Sequence, residues 1–161
     1  MDDPTRSMLR HAVAAVSYRA ARVCENAPPN FAAVRASDST RSAGAILAHM
    51  SDLFEWAMTL VAGSPGWNSV AALPWEQEVD RFFEALSRFD AALARDTPLA
   101  CPAERLLQGP IADALTHVGQ LAMLRRLAGA PQVGENYFKA NIAVGSITRN
   151  LPAPVAPFVT K

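Results

Sequence analysis

An acidic side chain and an imidazole lie four residues apart in the segment 109–120, at Asp113 and His117. The segment predicts a helix, and side chains at positions i and i+4 of a helix share one face, with Cβ atoms about 6 Å apart. Both side chains can therefore bind one metal ion. The surrounding residues on this face are apolar, so burying a charge there requires a compensating partner. A divalent metal is one candidate, and His49, on another predicted helix, can supply a further ligand.

Two imidazoles and one carboxylate form a ligand set that suits zinc, nickel, iron or manganese. Three protein ligands leave coordination positions open for water or substrate, as in reactive metal sites. An ion of this kind lowers the pKa of a bound water or thiol and makes it nucleophilic near neutral pH. Gln120 lies one helical turn after His117 and is a candidate partner for its ring.

Each of these residues also has a purely structural explanation. Asp113 falls in the first turn of its predicted helix, where the helix dipole alone favours an acidic residue. A histidine within an apolar stripe is more often hydrogen-bonded in the core than bound to a metal. The third histidine, His11, is interpreted as a surface or interface residue. The sequence leaves both explanations open, because only convergence of the three side chains in the fold would decide between them.

Composition limits the classes of partner. The 161 residues include 15 basic and 15 acidic residues, and 50% are hydrophobic. The balanced charge argues against nucleic acid as a partner, because phosphate binding needs a concentrated basic surface. A near-neutral surface favours self-association. We find no signal peptide and no apolar run long enough to span a membrane, which predicts a cytoplasmic protein without a membrane partner.

Pro- and Gly-rich breaks divide the chain into four predicted helices, and no strand alternation of useful length is present. The predicted helices run from Pro4 to about Val23, from Ser39, Thr40 or Ser42 to Gly63, from Pro74 to before Pro98, and from Pro110 to Ala128. We predict an all-α, single-domain fold over residues 1–161, a four-helix bundle with long crossovers. Its core covers about 4–145, and the Pro-rich end, 146–161, is expected to be an irregular, extended tail.

Several segments match, in order and spacing, a pattern known from one family. They are residues 46–53 with Trp56, residues 116–121, residues 125–129 and residues 134–138. In these segments the chain resembles the DinB-like (DinB/YfiT-type) superfamily of metal-dependent enzymes. The resemblance implies an up-down-down-up bundle of four helices, often found as a homodimer.

The resemblance also implies a metal site made from one histidine on the second helix and an H-x-x-x-H pair on a later helix. His49 and His117 match the first and last of these positions, whereas Asp113 replaces the middle histidine. A carboxylate can still bind metal, but it changes metal preference and affinity, and a degenerate site is the alternative. Family members of known activity include thiol transferases that use low-molecular-weight thiols such as mycothiol or bacillithiol.

Two functions follow as hypotheses. The first is a metal-dependent enzyme, a thiol S-transferase or a hydrolase-type detoxifying activity, acting on a small molecule. Its zinc or nickel ion, or alternatively iron or manganese, is bound by His49, Asp113 and His117. The residues expected beside the ligands or at the cleft are Gln120, Trp56, Glu135 and Asn136. The second is a non-catalytic dimeric bundle, a stress or small-ligand-binding protein with a degenerate metal site.

Overall fold

Four long helices form the body of the protein, and the computed structural model describes residues 3–158. The helices are α1 (Pro4–Cys24), α2 (Ala43–Val61), α3 (Trp75–Leu93) and, after a single-turn α4 (Ala103–Leu106), α5 (Ala112–Leu127). Within residues 3–158 there is no β-strand, only an isolated bridge between Glu135 and Pro157. The all-α prediction is therefore confirmed. No helix in this part of the chain combines the length and apolarity that a membrane crossing requires.

Side-chain caps begin two of the helices at the predicted places. The carboxylate of Asp3 accepts hydrogen bonds from the backbone N–H groups of Thr5 and Arg6 at the start of α1. At the start of α2, the Ser42 hydroxyl accepts from the N–H of Ala45 at 3.3 Å. Such caps satisfy N–H groups that have no partner inside the helix. The sequence signals for these two starts are thus explained by direct contacts.

The four long helices pack in a ring around one core. Helices α1 and α2 each pack against both α3 and α5. Phenylalanines from α2, α3 and the connection before α2 fill the centre and are fully buried: Phe31, Phe54, Phe82 and Phe89. The contact between α2 and α5 brings His49 of α2 close to His117 of α5, with ring centroids 4.8 Å apart.

The start of α5 differs from the prediction. The predicted helix begins at Pro110, but the chain passes directly from α4 through a π-helical turn, Leu107–Ile111, into α5. Gly109 within this turn has non-helical dihedral angles, φ −89° and ψ −105°. The break signalled by Gly-Pro therefore exists as a kink, since Pro110 has no N–H to donate to the preceding turn. Asp113 follows this kink in the first turn of α5.

The Pro-rich end has no helix or strand in its described part, as predicted, but it is held against the helices. Arg149 pairs with Glu76 and Asp80 of α3. The N–H of Thr148 donates to the Ser17 hydroxyl of α1 at 3.2 Å. Residues 146–158 therefore pack on the domain, whereas residues 159–161 of the predicted tail lie outside the described part of the chain.

Candidate metal centre

The three predicted ligands come together between α2 and α5. His49 Nε2 lies 3.6 Å from Asp113 Oδ2, and His117 Nε2 lies 3.5 Å from Asp113 Oδ1. One ligand atom of each residue lies within 4.8 Å of the other two. Two atoms bound at about 2.0–2.2 Å to one tetrahedral ion are about 3.3–3.6 Å apart. The spacing around Asp113 is therefore that of a donor set able to hold one metal ion.

Gln120 orients the ring of His117. Its Oε1 lies 2.8 Å from His117 Nδ1. Because an amide oxygen can only accept, Nδ1 must carry a proton to donate to Gln120, and in the metal-binding form of the ring Nε2 then offers its lone pair. Metal-binding histidines are commonly fixed by such a hydrogen bond from the other ring nitrogen. The structure thus places Gln120 in contact with a ligand, at the position where the sequence predicts a partner.

The surroundings of His49 favour its neutral form, which is the form that binds metal. Burial lowers the pKa of His49, and the nearby charges of His117 and Arg41 lower it further. The carboxylate of Asp113 acts in the opposite direction and raises it. The net shift is downward, so the His49 imidazole is neutral at physiological pH.

The loop between α2 and α3, residues 62–74, brings Trp67 onto the ring of His49. The centroids of the two rings are 5.5 Å apart, and Trp67 also packs on Trp56 with centroids 5.9 Å apart. Trp67 remains 46% exposed. The indole therefore lies against the imidazole while part of it faces solvent.

Two buried carboxylates hold this loop in place. Asp52 of α2 accepts a hydrogen bond from the N–H of Val70 at 3.3 Å, and Glu78 of α3 accepts from the N–H of Leu73 at 3.0 Å. Arg81 pairs with both acids. These bonds join the loop that carries Trp67 to α2 and α3.

A groove of about 490 Å³ opens beside the cluster. Its polar lining includes His117, Gln120 and Arg41, and most of the remaining lining is apolar. Of the three candidate ligands, His117 lines this groove, and the side-chain exposures are 21% for His49, 45% for Asp113 and 10% for His117. A ligand in this groove would lie against the residues that orient and form the metal site.

Glu135 lies elsewhere. It is buried against α1, where the Tyr18 hydroxyl lies 2.8 Å from both carboxylate oxygens and Arg22 Nε lies 3.5 Å from Oε2. Glu135 shares a groove with Leu115 of α5, a residue about 160° around the helix from His117. Its contacts thus place it on the opposite face of α5 from the candidate metal centre.

The other predicted residues have indirect or separate positions. Asn136 follows Glu135, and its side chain accepts from the N–H of Phe138 at 3.1 Å, so it stabilises a local turn. Trp56 is connected with the cluster through its contact with Trp67. His11 is exposed on α1, in agreement with its interpretation as a surface residue, and does not belong to the cluster.

Two residues of the site were missed in the sequence. Trp67 is in a loop, where no helical periodicity predicts which residues it contacts. The one indication in the sequence is the presence of a tryptophan within a Gly-, Ser- and Pro-rich segment. Arg41 immediately precedes the cap residue of α2 and has no informative spacing to His49 or His117. Both acquire their role through tertiary packing alone.

Comparisons with protein-family models, with curated proteins and with solved structures yield no match to this chain. The functional assignment therefore depends on the geometry of the centre and on the resemblance carried by the sequence segments described above.

Proposed function

We propose that this protein is a metal-dependent enzyme of the DinB-like type, with a divalent transition metal bound by His49, Asp113 and His117 inside a four-helix bundle. The observation that carries the proposal is the meeting of these three donors, which come from two helices and lie within 4.8 Å of one another. The donor set favours zinc or nickel, with iron or manganese as alternatives, and the resemblance favours a homodimer acting on a small molecule.

Each residue of the centre has a defined task in this proposal. Two neutral imidazoles donate lone pairs, and Asp113 supplies one negative charge that offsets part of the charge of a divalent ion. Gln120 holds His117 in the tautomer that leaves Nε2 free. Trp67 limits access of water on the side of His49. The remaining open side faces the groove, where a substrate can approach.

A thiol S-transferase or a hydrolase is the reaction class that this arrangement supports best. A divalent ion at this position supplies a lowered pKa for a bound thiol or water. For a thiol, the S–H proton is released to solvent and sulfur forms a bond to an electrophilic carbon. The group displaced from that carbon leaves with the bonding electron pair. For water, oxygen takes the place of sulfur.

Metal binding is tested with the Asp113→Asn variant. We expect the wild-type chain to bind about one Zn²⁺ or Ni²⁺ ion and to melt at a higher temperature when the metal is added, because a ligand that binds only the folded state stabilises it. Loss of one ligand is expected to reduce metal affinity by more than about 100-fold. This exceeds the loss expected when a residue that only hydrogen-bonds a ligand is removed. The measurements are elemental analysis and calorimetric titration.

The exposed Asp96, in the connection after α3, provides the matched control as Asp96→Asn. This change should leave both the stoichiometry and the affinity for metal as in the wild type. Absence of metal from the wild-type protein, with no shift in melting temperature on adding zinc or nickel, would contradict the proposal.

Catalysis is tested separately with the zinc- or nickel-loaded protein. We expect it to accelerate the reaction of a low-molecular-weight thiol with monochlorobimane, in which sulfur replaces chloride and the product fluoresces. His117→Gln should abolish this acceleration while the helical content measured by circular dichroism is unchanged. A metal-loaded wild-type protein without rate enhancement for thiols or for ester hydrolysis would argue against an enzyme.

A non-catalytic, small-ligand-binding bundle is the second candidate, and one observation favours it. Asp113 lies in the first turn of α5 and contacts both imidazoles directly. The same contacts form ion pairs whenever a ring is protonated, so Asp113 can stabilise the helix pair without any metal. In that case Asp113→Asn would lower stability slightly and would have no effect on metal binding.

A further inference from the structure

The groove beside His117 is lined in large part by apolar side chains. Ile46 and Leu124 form its base and are nearly buried, with exposures of 5% and 4%. Met123 lies at its edge and is 55% exposed. Covering exposed apolar surface is favourable by roughly 25 cal/mol for each Å² removed from water. A ligand with an apolar body would therefore gain binding energy in this groove.

A positive charge lies at the same groove. Arg41 is exposed, lines the groove, and is close enough to His49 to lower the pKa of that histidine. Within residues 3–158, no carboxylate forms an ion pair with Arg41. A guanidinium presents a planar set of N–H donors that matches the two oxygens of a carboxylate. The groove thus combines apolar side chains with an exposed cation that can pair with an anionic ligand.

We infer that this groove binds a small apolar molecule carrying a carboxylate, with the apolar part on Ile46, Met123 and Leu124 and the carboxylate at Arg41. Such a molecule lies against His117, so its role as a substrate rests on the proposed function. Its binding requires only the groove residues. Binding and metal chemistry can therefore be tested independently of each other.

The test compares octanoate with octanol, which have the same chain length but different charge. The protein is the full-length chain treated with a chelator, so that no bond between carboxylate and metal contributes. Labelling with ¹³C-methyl methionine provides a reporter in the groove, Met123, and a control, Met8, which lies in a separate apolar groove with Leu107. We expect octanoate to shift the Met123 resonance and not that of Met8.

Charge recognition is tested with Arg41→Gln. We expect wild-type protein to bind octanoate about fivefold more tightly than octanol, which corresponds to a partly exposed ion pair. Arg41→Gln should remove this preference and leave octanol binding unchanged. Arg35→Gln, which removes another exposed arginine of the same connection outside the groove, should retain it.

Three results would overturn the inference: equal affinity of the wild type for octanoate and octanol, equal shifts at Met8 and Met123, or the same loss in Arg35→Gln as in Arg41→Gln. Failure of the two proposals can be told apart. Octanoate binding without any metal binding would remove the proposed enzyme and support the groove. Metal binding without any preference for octanoate over octanol would remove the proposed carboxylate groove and leave the proposed enzyme standing.

Discussion

Two clusters of ionisable side chains lie on opposite faces of α5, and they use their charges in different ways. On one face, His49, Asp113 and His117 bring potential metal-binding atoms within 4.8 Å of one another. On the other face, Tyr18 donates to Glu135 at 2.8 Å and Arg22 pairs with the same carboxylate. The first cluster is partly exposed and borders a groove, whereas Arg22 and Glu135 are 4% and 3% exposed.

The difference shows why burial and charge do not by themselves indicate a functional site. In the Glu135 cluster, an acid, a cation and a hydroxyl contact one another, and the N–H of Val155 adds a further donor to the carboxylate. Burial raises the pKa of Tyr18, which keeps its hydroxyl protonated as a donor. In the cluster of His49, by contrast, two imidazoles contact one carboxylate. Nitrogen and oxygen donors of these types are what a metal ion such as zinc requires.

The largest expected effect comes from breaking the Glu135 cluster. Glu135→Gln retains the shape of the side chain but leaves the buried guanidinium of Arg22 without its buried counter-charge. Removing one partner of a buried ion pair typically costs about 3–5 kcal/mol. We expect a loss of this size in the free energy of unfolding measured with urea, and no change in the affinity for zinc.

The control for this prediction is Glu25→Gln. Glu25 also pairs with Arg22, at 3.5 Å, but its side chain is 46% exposed. An exposed pair contributes at most about 1 kcal/mol. Similar losses for the two variants would show that Glu135 does not have the structural role assigned to it here, and a loss of zinc affinity in Glu135→Gln would connect the two faces of α5.

The next largest effect concerns the hydrogen bond that orients His117. Gln120→Met removes the acceptor at Nδ1, so the ring loses its fixed tautomer and orientation. Mutations of such outer partners typically lower metal affinity by about 10–100-fold. Because Gln120 is exposed, stability should change by less than about 0.5 kcal/mol. Calorimetric titration with zinc measures the first effect, and urea unfolding measures the second.

Gln120→Glu is the matched variant because it retains an oxygen acceptor at the same place. We expect it to bind zinc with an affinity close to that of the wild type or higher. If Gln120→Met binds as tightly as the wild type, the ring of His117 is oriented by packing and the contact with Gln120 is incidental.

Helical spacing was sufficient to predict much of this arrangement. Asp3, Ser42 and the prolines place the helix starts within a few residues, since caps are local interactions that a sequence displays directly. The spacing of Asp113 and His117 on one helix face follows from the geometry of the helix itself. Gln120 follows from the same period, and its contact with His117 is observed.

What the sequence did not predict depends on contacts between distant segments. The loop residue Trp67 reaches His49 because Asp52 and Glu78 hold its loop, and no local pattern describes such a connection. Glu135 was expected at the metal-binding cleft, but its partners on α1 place it across α5. The two faces of α5 therefore differ through contacts between distant segments, although both clusters consist of ionisable side chains.

The smallest expected effect tests how much Trp67 contributes to the difference between the clusters. Burial is the main cause of the lowered pKa of His49, so Trp67→Ala, which removes the covering ring, should raise that pKa toward its usual value. When the pKa of a histidine is lower in the folded than in the unfolded state, its contribution to stability is present at pH values above the unfolded-state pKa. This contribution is lost as pH falls through the folded-state pKa. Metal binding also weakens as pH falls, because only the neutral ring binds the metal.

The measurement is an NMR titration of the His49 ring in metal-free protein, followed by zinc binding at decreasing pH. In Trp67→Ala, zinc binding should begin to fail at a higher pH than in the wild type. Trp67→Phe retains an aromatic cover and should titrate close to the wild type. An unchanged titration in Trp67→Ala would mean that the helices alone bury His49, and the loop would then have no part in preparing the imidazole for metal.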